Sequence, residues 1–158
     1  MEIHYMSISE LAWLIRTKKV SPVEVTELIL RRIEELDPHY KAYATVMTDH
    51  AIIAAKRAEK EIMEGNYKGT LHGVPMAVKD LCFTDGVRTM GGSSVMTDHV
   101  PSFDATVVER LKASGSVLLG KLNLTEGAMG GYNPSFDIPL NPWNDDRWAG
   151  ASSSGSGV

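Results

Sequence analysis

The chain has 158 residues, 43% of them hydrophobic and 23% charged, with a formal net charge of -4; that size supports one domain with a real core and that balance argues against disorder. Lysine and arginine are scattered, which gives no electrostatic footprint for nucleic acid or an anionic membrane. The single cysteine, Cys82, excludes an intrachain disulfide and a cysteine-based zinc cage, and no apolar run approaches the roughly 18 residues of a membrane span.

The first residues, MEIHYMSISE, lack the basic and then apolar order of a secretory signal, so a cytoplasmic protein is expected. Ser7 and Glu10 have capping-box spacing and open a short helix with Leu11, Leu14 and Ile15 on one face. Ser21, Pro22 and Glu24 mark a second start. Val25, Leu28, Ile29, Ile33 and Leu36 follow at helical spacing, with Asp37-Pro38 as the stop. Residues 42–47 read as a short strand. A third helix is predicted over 50–64, with Ala51, Ala54, Ala55, Ala58 and Ile62 inward and Gly65-Asn66 closing it.

Past Leu71-His72-Gly73 the character changes. Residues 74–78 are short and almost wholly apolar, which predicts a strand buried on both faces. Thr84-Asp85-Gly86 is a turn. Asp104 is placed to cap a helix carrying Val107, Val108 and Leu111 and ending at Ser114-Gly115, and 117–119 predicts another buried strand. Strand, helix, strand in this order predicts an α/β fold: N-terminal helices, then the first part of a mixed or parallel sheet covered by helices. The chain stops within its most Gly- and Ser-rich stretch, so the expectation is that residues 1–158 are the N-terminal part of a single domain.

Several patterns carry no chemistry. Gly115 through Lys121 matches the start of a phosphate-binding loop, but Leu122 stands where Ser or Thr should hold magnesium, and the intervening residues are strand formers. No frame of the terminal serines forms Gly-x-Ser-x-Gly, and the five histidines lack metal-ligand spacing, so neither a metal nor a cofactor is predicted. Gly91-Gly92-Ser93-Ser94 reads as a turn.

Two segments stay open on residues alone. Lys79 ends the apolar run that begins at Gly73. It is either a lysine snorkelling to solvent from a strand end or a desolvated neutral amine able to act as a base. The run from Ala149 to Gly157 is either a flexible linker or a tight site where tiny residues let backbone approach a substrate closely.

Taken together, these segments resemble the amidase signature family. The resemblance rests on Ser21-Pro22-Val23-Glu24, the run Gly73 to Lys79-Asp80, and the run that starts at Asp104-Ala105-Thr106. It continues through Gly120-Lys121-Leu122-Asn123, Asn141-Pro142-Trp143 and Gly150-Ala151-Ser152-Ser153-Ser154-Gly155. Each is weak alone; their order along nearly the whole chain is what counts. The resemblance implies the amidase signature fold, here incomplete, and a Ser–cis-Ser–Lys triad acting on amides through an acyl-enzyme. Lys79 matches the family lysine, and Ser152 the cis-serine. The nucleophile belongs to a second Gly/Ser segment about two dozen residues further on, which would also supply the oxyanion hole. Ala128 falls where relatives line the acyl side of the pocket.

Two residues depart from the family pattern. Ala151 stands where glycine is commoner, and Gly127 replaces the bulky aromatic usual in tRNA amidotransferase A subunits. The second departure favours a stand-alone amidase acting on a small-molecule amide, with no nucleic acid, membrane or cofactor implied and a homodimer compatible. The alternatives are an amidotransferase A subunit, which requires partner subunits, and an inactive truncated or vestigial fragment.

Overall fold

The computed structural model describes residues 2–158. Its helices are α1 (Ile8–Arg16), α2 (Pro22–Tyr40), α3 (Thr48–Met63), α4 (Thr106–Ala113) and the short α5 (Ser154–Gly157), and its strands are β1 (Tyr43–Val46), β2 (Pro75–Lys79) and β3 (Val117–Leu122). The strands form one sheet in the order β1-β3-β2. β1 runs antiparallel to β3, pairing Tyr43 with Leu122, Thr45 with Lys121 and Val46 with Gly120, with a bulge between Tyr43 and Thr45. The β2–β3 bonds advance together along both strands, from Val117 N–H to Val74 O through Asp80 N–H to Leu122 O, so this pair is parallel and the sheet is mixed.

The chain divides into two compact units. One comprises residues up to Ile33, Met47–Met76 and Glu109–Leu119; the other comprises Glu34–Val46, Ala77–Val108 and Gly120–Val158. The core of the first is Leu11, Ala12, Ile15, Val25, Ile62 and Val74. Helix α1 is there because of its capping box: Ser7 accepts from the Glu10 amide and the Glu10 carboxylate accepts from the Ser7 amide. Helix α3 presents Ala51, Ala55, Ala58 and Ile62 inward at spacings of three and four.

Two expectations are corrected. Asp37-Pro38 does not stop α2, which runs on to Tyr40. Pro38 removes one amide but sits in the last turn, and the stop comes at Lys41, whose φ of 58° is left-handed and whose amide donates to Asp37 O. The Asp37 carboxylate then receives the Ala42 and Tyr43 amides and leads the chain into β1. Nor is β2 buried on both faces. It lies at one side of the sheet, with Val78 buried and its other residues half-buried. β3, flanked by both other strands, takes that role and is buried from Val117 to Lys121.

The phosphate-loop pattern dissolves at β3. Gly120 is required by packing, since a Cβ there would lie 2.4 Å from Thr45 O on β1. Lys121 is a wholly buried strand residue.

Candidate active site

All residues of the candidate site belong to the second unit. Lys79 closes β2 and is half-buried. Its carbonyl accepts the Cys82 amide at 2.9 Å, and the amide of the next residue, Asp80, donates to Leu122 O on β3 at 2.9 Å. The lysine stem therefore leaves a backbone fixed on both sides. Its Nζ donates to Ser152 Oγ at 2.6 Å, across 73 positions of sequence.

Ser152 is held by its own backbone. The Ala151–Ser152 peptide is cis. The Ser152 carbonyl accepts from Thr125 N–H at 3.2 Å, and Gly155 N–H donates to Asn123 O at 2.9 Å, so the terminal segment lies along the chain that continues β3. Gly155 is essential to that approach, because a Cβ there would meet Ala42 O at 2.2 Å. Asn123 is anchored in turn, its amide donating to Ala42 O and its Nδ2 to Lys41 O. On the other side, Tyr132 Oη donates to Gly150 O at 2.9 Å. The terminal Gly/Ser run is thus a seated segment with a short helix, and not a free linker.

Behind Lys79 lies a buried ion pair that sequence reasoning missed. Lys121 and Asp80 have side-chain exposures of 0% and 1%, with Lys121 Nζ 3.2 Å from Asp80 Oδ1. That contact is ionic and not a well-angled hydrogen bond, which Lys121 Nζ makes instead to Thr89 Oγ1 at 2.5 Å. Burial pushes the Asp80 carboxyl up and the Lys121 ammonium down, each opposed by its partner's charge. The signal was present in the sequence: a lysine inside an apolar strand needs a buried partner.

Ala128 ends a short 3-10 turn, Glu126–Ala128, in which Gly127 and Ala128 both have left-handed φ near 58°. Its amide donates to Thr125 O. This places it three residues beyond the residue that binds Ser152, but its own hydrogen bond goes to neither member of the Lys79–Ser152 pair. Glycine at 127 suits the left-handed φ of 58° better than a bulky side chain would. Among the described residues, no group of three or more His, Cys, Asp and Glu side chains could hold a metal ion, and no helix is long and apolar enough to cross a membrane.

Comparison with known proteins agrees with the motif order. The family profile described as Amidase matches residues 24–158. The chain belongs to the amidase family. It is 52% identical over 156 residues to AmiD of Mycobacterium tuberculosis, which bears the name of an amidase; the match takes in 99% of this chain and 33% of that one. It is 44% identical over 158 residues to the A subunit of the glutamyl-tRNA(Gln) amidotransferase of Moorella thermoacetica, over 99% and 32% of the two chains. The solved peptide amidase of Stenotrophomonas maltophilia superposes with a TM-score of 0.88 at 28% identity, covering 96% of this chain and 33% of that one. The chain therefore spans about a third of the length of these amidase-family relatives.

Proposed function

We propose that this amidase-family chain carries the base and the relay of a Ser–cis-Ser–Lys amide hydrolase, with Lys79 as the base and Ser152 as the relay. The observation that carries the reading is the 2.6 Å contact between Lys79 Nζ and Ser152 Oγ. In the reaction Lys79 as a neutral amine takes the proton of Ser152, and Ser152 takes the proton of the nucleophilic hydroxyl as that oxygen attacks the amide carbon. The proton returns along the same path to the departing amine. Water then cleaves the acyl-enzyme by the same relay. The nucleophile and the oxyanion donors come from sequence outside these 158 residues, and Ala128 lines the acyl side of the pocket.

A stand-alone cytoplasmic amidase acting on a small amide is favoured over an amidotransferase A subunit by Gly127 and by the higher identity to AmiD. Rescue by the protein of a strain defective in tRNA amidation would reverse that preference. The catalytic assignment is tested on protein extended through the second Gly/Ser segment. There Lys79→Ala and Ser152→Ala should each lower kcat/KM for a simple amide by about 10³-fold or more. Activity within about tenfold of wild type in either variant would refute it. The 158-residue chain alone should hydrolyse no amide; turnover by it that Lys79→Ala abolishes would show that the nucleophile lies within it.

A further inference from the structure

We propose that the buried Asp80–Lys121 pair, with Thr89, is a positioning device that holds the β2 end so that Lys79 meets Ser152; this rests on the role given to those two residues above. Every polar group of Asp80 is engaged. Its N–H donates to Leu122 O at 2.9 Å, its C=O accepts Gly91 N–H at 3.0 Å, and its Oδ2 accepts Met90 N–H at 3.0 Å. Its Oδ1 faces Lys121 Nζ at 3.2 Å. Lys121 is fixed in turn by its β3 register opposite Thr45 and by its bond to Thr89 Oγ1. Asp80 thereby ties the residue after Lys79 to β3 and to the 89–91 turn at once.

Two physical arguments favour positioning over simple stabilisation. A buried ion pair gives little net stability, because desolvating both charges offsets their attraction, and an apolar pair of similar volume often serves as well. Such a pair has better-attested use in fixing a single geometry. Moreover, Lys79 is the last residue of β2, so its stem leaves the strand where the β2–β3 pairing ends. A lysine is among the side chains with most rotamer freedom to lose. A lysine that must reach one hydroxyl from such a strand end needs its Cα held by something else. The sequence neighbour with every polar group engaged supplies that.

The test measures acetylation of Lys79 by brief acetic anhydride exposure of the 158-residue chain, read by peptide mass spectrometry, with the exposed lysines as internal standards. Ser152→Ala is the reference: breaking the contact should change Lys79 reactivity by about tenfold relative to those standards. Asp80→Asn and Lys121→Met should each shift Lys79 in the same direction to within about threefold of the reference, and the double variant, which leaves no unpaired charge, should recover part of the change. Thr89→Val, which keeps the shape and removes one acceptor, gives a milder shift and decides the matter if the single charge variants raise every lysine together. Wild-type Lys79 reactivity in Asp80→Asn, Lys121→Met and Thr89→Val, alongside a changed Ser152→Ala, would overturn the positioning role and leave the catalytic reading intact. No change in Ser152→Ala would overturn both.

Discussion

Replacing Gly155 with alanine asks how firmly Ser152 is seated. A Cβ on Gly155 would lie 2.2 Å from Ala42 O, 2.7 Å from Asn123 N and 3.1 Å from Asn123 O. All three are backbone atoms, so no rotamer change relieves the overlap and the terminal segment itself has to move. Moving it breaks the Gly155 N–H bond to Asn123 O and loosens the Thr125 N–H bond to Ser152 O. Overpacking of this kind costs about 1–3 kcal/mol, and a lost backbone bond adds about 1 kcal/mol. The seated state should lose at least about 2 kcal/mol, which is about 30-fold in its population. Amide hydrogen exchange reads this directly. The Gly155 and Thr125 amides should exchange about 30-fold faster in Gly155→Ala, while those of Ala55 and Ala58 in α3 keep wild-type protection. Unchanged exchange at Gly155 would refute the close approach, and equal acceleration in α3 would refute the idea that the seat opens locally.

Two further predictions concern His72, which is wholly buried. Its Nδ1 accepts the Lys68 amide at 3.1 Å, so the proton sits on Nε2, which donates to Glu61 Oε2 at 3.0 Å. Burial holds the imidazole below its ordinary 6.5, with Glu61 opposing. As pH falls through about 6.5 the unfolded chain takes up a proton that the folded imidazole refuses, so stability is lost from there downward. The Glu61 carboxyl, held at about 2 chiefly by its bond from Lys68, contributes stability above 4.5 that is lost as pH falls from 4.5 through about 2. Tm should therefore begin to drop below about pH 6.5, and His72→Gln should flatten that first decline; a flat wild-type profile between about pH 7 and 5 contradicts the argument. Gly115→Ala would put a Cβ 2.2 Å from His72 Cδ2 at a φ of 79°. It should lower unfolding free energy by about 3 kcal/mol in urea titration, and a loss below about 1 kcal/mol would mean the histidine is loosely packed.

The legible parts of the fold were those set by local chemistry. The capping box at Ser7 and Glu10, the alanine face of α3 and the apolar run of β3 all form where spacing places them. Asp37-Pro38 misled because a single proline removes only one i→i−4 bond, a cost α2 bears in its last turn, and it is the left-handed Lys41 that ends the helix. The burial of β2 misled for a different reason. An apolar run reports that a strand meets a core, not how completely each of its two faces is covered. Lys79 and Ser152 were singled out by motif order, yet no spacing rule could bring residues 73 apart to 2.6 Å. Lys121 was set aside with the phosphate-loop pattern although its setting held the better clue. Its partner is the Asp80 that follows Lys79, and only the sheet pairing shows that the two meet.

The backbone around Ala128 limits what this segment can offer an amide. A substrate amide presents an acceptor at its carbonyl and a donor at its nitrogen, and the tetrahedral oxyanion needs donors. The amides of Gly127, Ala128 and Met129 donate to Gly91 O, Thr125 O and Glu126 O respectively, so these three have no N–H left for an oxyanion. If Ala128 lines the pocket, it does so through its methyl group or its carbonyl, and contact with a substrate N–H is then the favoured geometry. Oxyanion donors have to come from a segment other than this turn. Ala128→Gly should therefore alter substrate preference through KM and leave the turnover rate for a given amide largely intact, because no transition-state donor is removed. Because glycine keeps the backbone N–H, a turnover rate lowered by about 10²-fold or more would mean that the methyl group orders the reacting geometry, and would refute a role confined to substrate binding.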